Sequence, residues 1–215
     1  MLGFFSFTEV LDPAAHHAYN AWHQLDHLPE QFSIEGVRFG QRWVCTPACQ
    51  EARFNVSPLL QSCQYMTLYL MRDAAVLPDF YALARRLREE DRFFSARHSH
   101  LSGPYEVTGR WAAPRVKVGA AVVPFRPARG VYVVVGPRVE APDLVTHRGV
   151  AGAWQFADDS LDRHITVAFV DGDLVSVAAE LGQWCLRAGV TGDWAGPLEA
   201  IDPYRWEWFA KFAPQ

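Results

Sequence analysis

Residues 12–43 read DPAAHHAYNAWHQLDHLPEQFSIEGVRFGQRW, and no other stretch of the 215-residue chain gathers so many titratable side chains on one element. Asp12 followed by Pro13 opens a helix. The Asp carboxylate accepts first-turn amides, and Pro costs nothing where an N–H would go unpaired. Along that helix Ala15, Ala18, Trp22 and Leu25 recur at three- and four-residue steps and predict an apolar, core-facing stripe. His16, Asn20, His23, His27 and Glu30 follow the same steps, rotated by about 100°, so this polar row is expected at the border of the core. Pro29 disfavours helical geometry at Leu28 and is expected to end or bend the helix there. Gly36 then permits a turn into a strand over 37–45, with Val37, Phe39, Gln41 and Trp43 on one face and Arg38, Gly40 and Arg42 on the other.

Outward from this stretch, residues 3–11 alternate around Phe5, Phe7 and Glu9 and predict a strand. Residues 46–62 lack periodicity and read as a long loop, and 65–71 as an apolar strand. An amphipathic helix is expected over 77–92, with Phe80, Leu83, Ala84 and Leu87 inward and a solvated charged face. His98 and His100 fall in a segment before Gly103-Pro104, and 105–111 reads as a further strand. The order strand, helix, strand, strand, helix, strand is the ferredoxin-like pattern. After a connector over 114–127 the order recurs. Strands are expected at 130–139, 150–156, 164–170 and 194–201, a helix at 174–188, and a shrunken first helix at 141–148. VAGAWQF at 150–156 echoes VRFGQRW at 37–43, and a degenerate internal duplication follows, with halves at 1–113 and 128–215. Beyond them Trp206, Trp208, Phe209 and Phe212 are expected to cap an apolar surface or to serve a homodimer contact.

Composition narrows the function classes. Net charge is -4, which argues against a nucleic-acid partner. No run approaches the roughly 18 apolar residues of a membrane span, and MLGFFSFTEV reads as a strand instead of a signal peptide. Cys45, Cys49, Cys63 and Cys185 show no C-x-x-C spacing, so reduced thiols in a cytoplasmic protein are expected. Every basic residue except Lys117 and Lys211 is arginine, a coding bias that reads as bacterial. There is no phosphate-cradling glycine motif and no G-x-S-x-G elbow, which argues against nucleotide-dependent and serine-hydrolase chemistry.

The run W-H-x-x-x-H-L-P-E, carried by Trp22, His23, His27, Leu28, Pro29 and Glu30, is followed by Gly36-Val37 and by Arg42-Trp43. Together they resemble the dimeric α/β-barrel superfamily, and within it the monooxygenase-like branch. The resemblance covers about the first 110 residues by motif and the rest by pattern. It implies an α+β chain of two ferredoxin-like βαββαβ halves, forming a dimeric-α/β-barrel type structure within one chain. The second half has no equivalent of Trp22-His23 or of His27-Leu28-Pro29, which puts a second active site in doubt. The superfamily includes cofactor-free oxygenases, isomerases and haem-dependent enzymes, so the reaction is not implied.

The candidate site centres on His23. Imidazole is the side chain whose ordinary pKa suits proton transfer near neutral pH. His27 lies one turn on and can assist. Arg42 can hold a substrate oxygen through its planar fork. Tyr19, Trp22, Asp26 and Trp43 are the expected substrate neighbours, with Asp26 placed to orient an imidazole. Three functions stay open at this point. The favoured one is a cofactor-independent enzyme acting on a small, largely apolar molecule by proton transfer or oxygenation. The others are a non-catalytic ligand-binding or scaffold protein, and haem or metal binding through His23, His27 or His98 and His100. No metal set is assigned.

Overall fold

A computed structural model of the chain describes residues 1–158 and 160–202. The aromatic tail with Trp206, Trp208, Phe209 and Phe212, and its expected capping or dimer role, lies outside the described residues. The class is α+β. β1 (Leu2–Val10) leads into one long first helix. It comprises a 3₁₀ turn (Pro13–Ala15), α1 (His16–Ala21), a π-helical segment (Trp22–His27) and α2 (Leu28–Gln31). Next come β2 (Val37–Val44), α3 (Pro47–Glu51), β3 (Asn55–Val56), β4 (Tyr65–Met71), α4 (Leu77–Glu89) and β5 (Arg97–Ala112). A 3₁₀ helix (Ala120–Phe125) precedes β6 (Gly130–Gly136), α5 (Ala141–Leu144), β7 (Val150–Asp158), β8 (Arg163–Val170), α6 (Leu174–Arg187) and β9 (Trp194–Ala200).

The chain forms two compact units. The first holds, among the described residues, 1–42, 63–104 and 201–202. Its strands run β2-β4-β1-β5, and β1 pairs antiparallel with β4, placing Phe4 opposite Tyr69 and Ser6 opposite Thr67. β4 is buried throughout, as its continuous apolar run requires. Leu28 from the first helix and Val76 and Phe80 from the α4 region pack against Leu2, Tyr69 and Met71. The helices therefore cover the sheet face that carries Phe4 and Ser6.

The second unit holds residues 43–62 and 105–200. Its strands run β5-β7-β8-β6-β9-β3, and the end of β2 pairs with β9, Trp43 opposite Ala200. α6 buries Leu174, Val177, Leu181, Trp184 and Cys185, and Asp173 caps it by accepting from the Ser176 amide at 2.9 Å. All four cysteines are reduced and buried. Among the described residues no helix is long and apolar enough to cross a membrane.

Several local expectations change. Pro29 does not end the first helix, which runs on to Gln31. The chain widens ahead of it instead, and the Leu28 amide donates to the His23 carbonyl five residues back. Proline removes one donor and its ring crowds the carbonyl four residues earlier, and a wider turn relieves both. The predicted stripe is also reversed. Ala18 and Leu25 face solvent, while His16, Asn20, His23, His27 and Gln31 turn inward. Residues 46–62 hold α3, capped by Thr46, and the short β3 instead of an open loop. β5 begins at Arg97 and runs through Gly103-Pro104 without interruption.

Candidate active site

A cavity of about 460 Å³ lies inside the first unit, between the sheet and its two helices. The first helix contributes His23, His27 and Gln31. β1 gives Phe4 and Ser6, β4 gives Thr67 and Tyr69, and β5 gives Arg97 and Ser99. α4 closes the remaining side with Phe80, Tyr81, Ala84, Arg85 and Arg88. The periodicities explain the set. Alternate strand residues share a face, and residues a turn apart share a helix side. Each four-residue step along an α-helix overshoots one turn by about 40°. The wider π turn at Trp22–His27 takes up part of that drift, so His23 and His27 stay on the inward face.

The two imidazoles sit with ring centroids 5.0 Å apart and planes at 83°. His27 also stacks on Trp22 at 4.5 Å. Burial holds the His23 pKa well below its ordinary value, and the cations of Arg42 and Arg97, with His27, push it the same way. His27 is lowered to about 3, by burial first and then by Arg97, Arg42 and Arg88. Both rings are therefore neutral at pH 7. Gln31 Nε2 lies 3.5 Å from His27 Nε2, and neither ring's Nδ1 has a hydrogen-bond partner among the described residues.

Behind the cavity runs a buried polar chain. Arg42, 1% exposed, donates to Asn20 Oδ1 at 3.1 Å. Asn20 in turn donates to the His16 carbonyl at 2.7 Å and to the Tyr65 hydroxyl at 3.0 Å. That hydroxyl lies 2.6 Å from His16 Nδ1. The Arg42 guanidinium rests over the Tyr19 and Tyr65 rings at 4.9 and 5.4 Å. Its Nε and Nη1 have no partner among the described residues, nor do the hydroxyls of Tyr19 and Tyr69. Burial raises the Tyr69 pKa, so its phenol stays protonated.

The structure thus brings His23 and His27 to the cavity wall and sets Arg42 and Tyr19 in the layer behind them. Trp22 and Asp26 line a smaller cleft of about 210 Å³ on the other side of His27, beside Glu30 and Arg92. Asp26 is exposed and forms no hydrogen bond to either imidazole. Trp43 is fully buried and belongs to the second unit. Arg97, Tyr69, Ser99 and Gln31 were not singled out by sequence. Arg97 Nη1 donates to Ser99 Oγ at 3.0 Å, and Ser99 meets Ser6 Oγ at 3.1 Å. On the alternate side of β5, His100 Nε2 lies 2.7 Å from Glu9 Oε2.

Among the described residues no three His, Cys, Asp or Glu side chains gather as a metal-binding group. Haem fits poorly. An iron ligand needs an imidazole nitrogen at the cavity surface, yet both Nδ1 atoms are sealed and His27 Nε2 is shared with Gln31. Iron held by the one remaining nitrogen, on His23, would lack the acceptor that normally backs a ligating histidine.

No family model matches the chain, and no curated protein is significantly similar to it in sequence. Solved structures do match. One named "Putative Chlorite dismutase" superposes with a TM-score of 0.56 at 10% identity, over 94% of each chain. One named "Putative monooxygenase", from Fusobacterium nucleatum subsp. nucleatum, superposes with a TM-score of 0.52 at 9% identity, over 94% of this chain and 92% of that one. The chain shares the fold of these two structures. Identity this low establishes fold and carries no reaction with it.

Proposed function

We propose that the chain is a cofactor-independent enzyme that acts on a small, largely apolar organic molecule by proton transfer or oxygenation, with His23 at the centre. The observation that carries this is the cavity of about 460 Å³ walled by His23 and aromatic side chains. A neutral imidazole there takes a proton from an acidic C–H or O–H of the ligand, and the electron pair stays on the ligand. Arg97 at the cavity wall and Arg42 in the layer behind it stabilise that negative charge. In an oxygenation, dioxygen is the co-reactant that meets the resulting carbanion or phenolate. His27 assists by holding the shape of the wall, and Tyr19 supports His23 from behind at 5.7 Å between ring centroids.

One observation favours a non-catalytic ligand carrier instead: His23 is a weak base while its pKa stays well below the ordinary value. Deuterium exchange separates the two. Aromatic ketones with acidic α-hydrogens are incubated with the protein in heavy water and followed by NMR. The enzyme function requires accelerated exchange that falls by about 100-fold or more in His23→Asn. Binding without exchange or oxygen uptake would leave the carrier.

A degenerate duplication, with halves at 1–113 and 128–215 joined by 114–127, is supported by a βαββαβ order in both once the short α3 and β3 between β2 and β4 are set aside. A cytoplasmic location is supported by the four buried, reduced cysteines.

A further inference from the structure

Several arginines of the first unit differ in the partners they meet. Arg72, Arg86 and Arg92, on its outer surface, each meet a carboxylate: Asp73, Glu90 or Glu30. Arginines at or behind the cavity meet no carboxylate among the described residues. Arg97 Nη1 donates only to the neutral Ser99, its Nε has no partner among the described residues, and its guanidinium lies over the Phe93 ring at 4.7 Å. Arg88, an exposed side chain that also lines the cavity, donates to the Ala84 carbonyl, and behind the cavity the buried Arg42 guanidinium donates only to Asn20 among the described residues. Among the described residues no Asp or Glu lines the cavity.

A guanidinium withdrawn from water with no counter-charge is costly, and a chain keeps it where a ligand supplies the missing charge. We infer that the cavity binds an amphipathic aromatic anion, its carboxylate or phenolate oxygen at Arg97 and its apolar body against Phe4, Phe80 and Tyr81. This rests on the proposed ligand site beside His23 and names its substrate class. The lining agrees with such a molecule, combining aromatic rings from β1 and α4 with guanidinium donors from β5 and α4. The anion also mends the weakness of His23 as a base. Arg42 and Arg97 add to burial in lowering its pKa, and a negative charge bound beside them offsets that field. Ligand binding and base strength are thereby linked.

The test compares two probes of one shape, 1-naphthoate and the neutral 1-naphthalenemethanol, by titration calorimetry with the full chain. Naphthoate is expected to bind at least about tenfold more tightly, the scale of one charge-assisted hydrogen bond. Arg97→Gln should erase that preference while leaving the alcohol's affinity unchanged. Should that variant fail to fold by circular dichroism, Arg88→Gln, at an exposed position, should still reduce naphthoate affinity selectively. Equal or tighter binding of the alcohol overturns the anion inference and leaves the ligand site standing. Binding of neither probe up to about 1 mM overturns both.

Discussion

The Arg42 guanidinium is sealed beneath the first helix and, among the described residues, donates only to the Asn20 side-chain oxygen, at 3.1 Å. Asn20 also ties the His16 carbonyl and the Tyr65 hydroxyl, so it serves three buried groups at once. Truncation of Asn20 to Ala leaves all three without that partner and should cost about 2–4 kcal/mol, read by urea unfolding. Arg42→Met acts differently. It removes a buried charge whose Nε and Nη1 are unpaired among the described residues, and methionine fills much of the space. Its melting temperature should fall less than that of Asn20→Ala, or rise. A larger loss for Arg42→Met would mean the guanidinium is structurally compensated.

Acid should unfold this protein earlier than its carboxylates alone require. Burial lowers His16 to about 4 and His27 to about 3, against an unfolded value near 6.5. A group whose pKa is depressed on folding binds more protons unfolded, so stability is whole above pH 6.5. It then falls as pH drops through the window toward 4 and 3. Each such histidine gives a slope of up to about 1.4 kcal/mol per pH unit. Melting temperatures taken from pH 7 to pH 5 should fall, and His27→Leu should flatten the dependence. A flat profile across that range in the unaltered protein would contradict the neutral, buried pair.

Gly40 is where β2 lets the first helix approach. A Cβ there would meet Leu28 Cδ1 at 2.8 Å and Tyr69 Cδ1 at 2.9 Å. Both neighbours are buried, so neither moves freely. Gly40→Ala should cost about 1–3 kcal/mol through overpacking, measured by thermal or chemical unfolding. Gly103, whose Cβ would meet nothing within 4 Å, serves as the control and should tolerate alanine with little change.

The order of elements was open to reading because each obeys one rule at short range. Asp12-Pro13 caps a helix, β4 is a continuous apolar run, and Leu77–Glu89 carries a clean apolar face. The inward face of the first helix was not. Ala18 and Leu25 are apolar and exposed, while His16, Asn20 and His23 are polar and buried. Periodicity locates a stripe and cannot see that the opposing wall offers Tyr65 and Arg42 as partners. The same limit hid Arg97. It precedes a Gly-Pro pair that ordinarily ends a strand, and it meets His23 at one cavity only because the fold brings together residues some seventy positions apart. Tyr69 passed as core because six of its seven carbons are ring carbons, and only the fold shows its hydroxyl beside the cavity.

The π turn makes the last prediction. Pro29 lacks an amide, and the Leu28 amide reaches five residues back to His23 instead of four to Gln24. Pro29→Ala restores a donor opposite the Leu25 carbonyl and removes the ring that crowds it. The helix can then close to ordinary α geometry, which rotates His23 and His27 relative to the sheet. Stability should hold or rise, since alanine is the better helix former by about 3 kcal/mol. Ligand affinity should fall, and the His23 pKa measured by NMR should move up toward 6.5 as its burial is relieved. An unchanged pKa with unchanged affinity would show that packing against Tyr69 and Phe93, and not proline, sets the wide turn. The direction of the pKa change matters more than its size. A histidine that regains basicity while losing its ligand would show that this helix gives up base strength to place His23 against the cavity.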